Sequence, residues 1–114
     1  MNFWWSESAW SFFNDDNIKD EFEKLIEEKL TTYIANNYFR IKPIRNAKSS
    51  GFQLYELRVH IAKKDFRIAF AQNKEQIIIC YLSEELQKQK FDKQFQKWYK
   101  HQKDELLHPR QFGK

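Results

Sequence analysis

At 114 residues, 41% of them hydrophobic and 18% aromatic, the chain has the material for one core and not for two. Charged residues make up 32% and leave a formal net charge of +4, and no apolar run approaches the ~20 residues that span a bilayer. The single cysteine, Cys80, excludes an intramolecular disulfide, and MNFWWSESAW lacks the basic and apolar regions of a signal peptide, so the expectation is a soluble, cytoplasmic domain.

The charge is unevenly placed. Residues 1–35 hold three lysines against eight acidic residues, a balance of −5. Residues 36–114 hold seventeen Lys and Arg against eight acidic residues, a balance of +9. Such a split predicts a surface with one basic face, suited to nucleic acid or to an acidic protein.

In chain order, Asn2 to Trp5 reads as a short strand with Phe3 and Trp5 on one side. Ser6 is a natural N-cap for a short helical segment through Phe13, whose aromatics belong to the core rather than to a base-stacking surface. The cluster Asn14-Asp15-Asp16-Asn17 ends that segment and starts another. Phe22, Leu25, Ile26, Leu30, Tyr33 and Ile34 then recur at helical spacing, which predicts a helix from about Asp16 to Ala35. Phe39 and Ile41 begin an alternating stretch that Pro43 confines to a sheet edge. The basic connection that follows, with Arg45 and Lys48, is a candidate phosphate track.

Phe52 to Leu82 is the organising stretch. Tyr55, Leu57 and Val59 alternate with Glu56, Arg58 and His60, and Phe66, Ile68 and Phe70 alternate with Arg67, Ala69 and Ala71. Both are period-two strands, while Ile77 to Leu82 is a continuous apolar run expected to be covered on both faces. A turn near Ala62-Lys63 sets Leu57 opposite Ile68 and Val59 opposite Phe66. A turn at Asn73-Lys74 sets Phe70 opposite Ile77, Ile68 opposite Ile79 and Phe66 opposite Tyr81. The same register puts Arg58 beside Arg67 on the other face, where like charges repel unless Glu56 or an anionic ligand neutralises them. Two guanidinium groups there would make a phosphate-binding floor, extended by Lys63 and Lys64 in the turn.

After the strands, Ser83 is a candidate cap for a helix with Glu84 and Glu85 in its first turn. Phe91, Phe95, Trp98 and Gln102 mark one face, with Lys90, Lys93, Lys97 and Lys100 around the rest. So narrow a stripe predicts a helix laid across a sheet edge. Leu107 to Lys114 is expected to fray, which leaves residues 1–106 as the domain. No established catalytic motif is present, and His60, His101 and His108 are too scattered to predict a metal site.

LYELRV, DFRIAF and QIIICYL together resemble the core of the RelE/ParE superfamily of bacterial type II toxins, particularly its HigB-like branch. The resemblance covers residues 3 to 100 and is densest over 52 to 82. Where that family often has a Lys-Lys pair, this chain has Glu84 and Glu85, followed by Gln87-Lys88. The resemblance implies an α+β fold: an antiparallel sheet of about four strands, N-terminal helices on one face and a C-terminal helix at the edge. It implies a toxin that cleaves messenger RNA in the ribosome by attack of the RNA's own 2′-hydroxyl, without metal or cofactor. Arg58 and Arg67 would stabilise the developing charge, Tyr99 or His101 would supply acid or base, and Lys63, Lys64, Lys88 and Lys90 would bind nucleic acid. It also implies a cognate antitoxin as partner. Two other readings stand beside it: an inhibitor of DNA gyrase, as in the ParE branch, and a binding module that has lost either activity.

Overall fold

The computed structural model of the chain describes residues 2–35, 42–44, 51–74 and 76–113. Its elements in order are β1 (Asn2–Trp5), α1 (Glu7–Trp10), α2 (Asp16–Ala35), β2 (Lys42–Pro43), β3 (Gln53–Ile61), β4 (Lys64–Asn73), β5 (Gln76–Ser83), α3 (Lys88–Gln102), a 3-10 helix (Lys103–Leu107) and β6 (Arg110–Gln111). The helix over 16–35 and the three long strands form where the hydrophobic periodicity places them. Ser6 caps α1 by accepting from Ala9 N–H at 3.0 Å. Asp15 Oδ1 accepts from the N–H of Asn17 and Ile18 at the start of α2.

Among the described residues the strands form one sheet in the order β2-β3-β4-β5-β1-β6. Two features correct the expectation of about four antiparallel strands. The sheet has six strands, two of them only two residues long, and β1 runs parallel to β5. A run as short as Phe3-Trp4-Trp5 carries no directional information. Parallel pairing follows because α1, α2 and the strands after them return the chain to its own starting edge. β2 lies at the far edge, as Pro43 requires.

The β3–β4 pairing has the expected register, with Leu57 opposite Ile68, Arg58 opposite Arg67 and Val59 opposite Phe66. Its two-residue turn has positive φ at both Ala62 (53°) and Lys63 (65°), a conformation that suits the strand twist but strains residues with a Cβ. The β4–β5 register differs from expectation. Asn73 pairs with Gln76 and Phe70 with Ile79, and a bulge then sets Ala69 opposite Tyr81 and Ile68 opposite Leu82. A continuous apolar run has no period from which such a slip could be read. At the bulge, the Cys80 carbonyl accepts from Ser6 Oγ at 2.6 Å. The Cys80 thiol is fully buried, and burial pushes its pKa far up, as a packed thiol requires.

Both faces of the sheet are covered. On the first, Phe22, Ile26 and Leu30 of α2 are buried with Trp5, Leu57, Ile68, Phe70, Ile77 and Ile79. On the second, Phe91 and Phe95 of α3 are buried with Leu54, Ala69, Ala71, Ile78 and Cys80. α3 therefore lies on a face rather than across an edge, in the room left by Ala69 and Ala71. Its start also departs from expectation. Gln87 occupies the cap position without a side-chain hydrogen bond, and no acidic residue lies in the first turn. Ser83 instead ends β5, and its Oγ accepts from Glu85 N–H at 3.0 Å.

The tail expected to fray is tied to the sheet. Arg110 and Gln111 pair with Trp5 and Trp4, Phe112 N–H donates to the Phe3 carbonyl, and the Phe112 ring packs on Phe3 and Trp5. Arg110 also bonds Glu7, holding that carboxyl below its usual range. No helix among the described residues is long and apolar enough to cross a membrane.

Candidate functional site: a polar strip on the second sheet face

α3 covers only part of the second face. Side chains alternate across a strand, so Glu56, Arg58 and His60 of β3 share that face with Asp65 and Arg67 of β4. Together they form a polar strip that runs from the start of α3 to the tip of the β3–β4 hairpin. Its inner and outer halves are chemically different.

The inner half is buried. Glu56 is fully inaccessible, and its Oε1 meets Arg67 Nη1 and Lys88 Nζ, each at 3.1 Å. Arg67 also donates to the Leu86 carbonyl from Nε (3.0 Å) and Nη2 (2.7 Å). Lys88 reaches one turn along α3 to Asp92 Oδ2 at 2.9 Å. These bonds fasten the connection 84–87 and the start of α3 to the sheet. The remaining oxygens, Glu56 Oε2 and Asp92 Oδ1, are buried and accept from no described group. Desolvation first, and the neighbouring Asp92 second, raise Glu56 to about 7. Desolvation opposes the Asp92 charge too, but hydrogen bonds from Glu56 and Lys88 outweigh it and hold Asp92 below its usual value. Of the two carboxyls, Glu56 is therefore the one that takes up a proton more readily. Desolvation likewise opposes the charge on Lys88, and its bonds to Asp92 and Glu56 prevail and raise its pKa.

The outer half is open. His60 Nδ1 lies 2.7 Å from Asp65 Oδ1, and Arg58 Nη2 lies 3.8 Å from Asp65 Oδ2. The Arg58 side chain is 54% exposed, against 11% for Arg67 directly across the strand pair. Exposed Lys63 sits in the strained turn, and Lys64 meets Glu84 at 3.5 Å. An imidazole and a guanidinium therefore share one accessible end of the second face, with Lys63 and Lys64 in and beside the hairpin turn.

The ten residues expected to carry function fare differently. Arg58 is exposed near the hairpin tip, Lys63 is exposed in the turn itself, and Lys64, next to it, alternates onto the opposite face, where it meets Glu84. Arg67 is on the same face but enclosed, because Glu56, the carboxylate expected as an alternative neutraliser, takes it up inside the protein. Lys88 is held by two carboxylates rather than presented to a phosphate, and Lys90 is exposed on the first turn of α3. Tyr99 stacks on Phe95, and His101 is exposed near the end of the same helix. Tyr99 is eleven residues from Lys88 in α3, about 16 Å at 1.5 Å per residue. That end docks on α1, where Trp98 Nε1 donates to Ser8 Oγ at 2.9 Å. Tyr99 and His101 are therefore not assembled with the arginines. Arg45 and Lys48 lie outside the described residues.

His60 and Asp65 were missed, although the signal was present. The register that pairs Leu57 with Ile68 also places His60 opposite Asp65. Among the described residues no three His, Cys, Asp or Glu are grouped to hold a metal ion. Comparison with protein-family models, with curated proteins and with solved structures gives no match to this chain.

Proposed function

We propose that this protein is the toxin component of a type II toxin–antitoxin system, a metal-independent endoribonuclease acting on messenger RNA in the ribosome. The reading begins from the resemblance of LYELRV, DFRIAF and QIIICYL to the RelE/ParE superfamily. The observation that carries it is the open end of the polar strip, where Arg58 and His60 share an exposed face and both meet Asp65. Cleavage by the RNA's own 2′-hydroxyl needs a base for that hydroxyl and positive charge beside the phosphorane. Both residue types are there. Arg58 is the charge-stabilising group on this reading, while Arg67 holds the strip in place from within.

One arrangement favours the second reading, a gyrase-directed toxin or a non-catalytic binding module of the same fold. Arg67 is enclosed, and Tyr99 and His101 sit at the wrong end of α3, so the catalytic set implied by the resemblance is not gathered. Inducing the protein in bacteria and mapping messenger RNA 5′ ends, beside a DNA gyrase supercoiling assay, separates the two. New 5′ ends with normal supercoiling are expected. Inhibited supercoiling without new ends would transfer the assignment to gyrase, and neither effect would leave the binding module.

The partner expected on this reading is an acidic antitoxin segment. The surplus of nine positive charges over residues 36–114 would steer such a segment, with an on-rate that falls as salt rises. Co-expression with the neighbouring small reading frame should yield a co-purifying, salt-sensitive complex.

A further inference from the structure

His60 and Asp65 form a feature that the family resemblance does not supply. Their side chains meet directly across the hairpin at 2.7 Å, through Nδ1 of the ring. An ionised Asp65 can only accept, so in the neutral ring this contact places the proton on Nδ1 and leaves Nε2 with its lone pair. The His60 side chain is 66% exposed, so the ring is open to solvent. Arg58 lies two residues earlier on the same strand face, about 7 Å along β3, and is tethered to the same Asp65 carboxylate. One carboxylate thus orients both an imidazole and a guanidinium toward the same solvent-facing end.

The surrounding charge suits an anionic substrate. Arg58 lies beside the ring, and Lys63 adds an exposed positive charge in the adjoining turn. Two consecutive residues with a Cβ are held at positive φ beside the pair.

We propose that His60, oriented by Asp65, is the base that activates the ribose 2′-hydroxyl, with Arg58 binding the adjacent phosphate. The proposal rests on the ribonuclease reading above and names the residues that would perform it. The 2′-hydroxyl proton passes to His60 Nε2 as the O2′–P bond forms. The P–O5′ bond breaks, its electron pair leaves on O5′, and that oxygen takes a proton from solvent. The products are a 2′,3′-cyclic phosphate and a 5′-hydroxyl, and His60 returns its proton to solvent. His60 is the catalytic residue in this scheme and Asp65 a positioning residue.

The test uses the purified full chain and ribosomes programmed with a defined messenger RNA, under single-turnover conditions over a range of pH. Wild-type protein should leave a 2′,3′-cyclic phosphate, with a rate that climbs as imidazole loses its proton. His60→Gln should cut about a hundred-fold more slowly or worse, lose that limb of the pH profile, and bind programmed ribosomes as well as wild type. Asp65→Asn should lower the maximal single-turnover rate about ten-fold and leave the half-saturating protein concentration unchanged, because it disturbs orientation and not binding. Both side chains are exposed, so both variants should keep the wild-type thermal midpoint. If wild type cuts and His60→Gln cuts within three-fold of it, this assignment is wrong while the ribonuclease reading survives. If wild type cuts no RNA, both fall together.

Discussion

Arg58 and Arg67 face each other across one rung of the same hairpin, yet they live in different solvents. Arg67 is enclosed by Glu56, the Leu86 carbonyl and the start of α3, whereas Arg58 keeps one loose tie to Asp65. Neighbours on the next element decide the difference, not position within the strand. A guanidinium that has given its donors to a buried carboxylate and a carbonyl has little left for a phosphate. One that remains exposed has most of its donors available. The inner half of the strip is therefore a fastening between sheet and helix, and the outer half is the end to which the proposed chemistry is assigned.

The largest effect should come from the fastening. Arg67→Ala would leave Glu56 buried beside Lys88 alone, and losing one partner of a buried pair costs about 3 kcal/mol. Chemical denaturation should show that loss in the midpoint. A change below about 0.5 kcal/mol would mean that Arg67 is a surface residue like its neighbour.

A pH dependence should follow from the same half. Glu56 holds its proton more tightly in the folded chain than in the unfolded one, being raised from 4.5 to about 7. Between those values the folded state carries the extra proton, so stability falls as pH rises, by up to about 1.4 kcal/mol per pH unit. Asp92 acts in the opposite sense in acid, where its lowered pKa makes stability fall as pH drops. Glu56→Gln keeps a donor toward Asp92 without a titrating proton. Its stability should be nearly flat from about pH 5 to about pH 8, while wild type declines. A parallel decline in both would remove Glu56 as the cause.

The hairpin tip should respond in the other direction. Lys63→Gly relieves a side chain held at φ 65°, and a gain of about 0.5–1 kcal/mol is expected. A loss would show that the Lys63 side chain contributes more than its backbone costs.

How much of this was legible depended on what each residue signals locally. The 57–68 and 59–66 pairings follow from alternation alone, and they bring Arg58, His60, Asp65 and Arg67 to one face. The helix over 16–35 follows from Phe22, Ile26 and Leu30 between a cap cluster and Asn36-Asn37. The bulge near Cys80 was hidden, because Ile77 to Leu82 has no alternation to break. The burial of Arg67 was hidden too, since it depends on α3 crossing the second face and on a carbonyl at Leu86. Neither a backbone carbonyl nor a helix crossing leaves a mark in composition. The tail was misread because Pro109 and Gly113 suggest fraying, whereas Phe112 and the hydrogen bond to Phe3 hold it.

The smallest expected stability change belongs to Arg58, and it carries the central claim. Arg58→Ala should be measured on one preparation for both unfolding midpoint and messenger RNA cleavage on programmed ribosomes. The account predicts a midpoint within about 0.5 kcal/mol of wild type and cleavage reduced by at least about a hundred-fold. An equally stable variant that cuts as fast as wild type would contradict it.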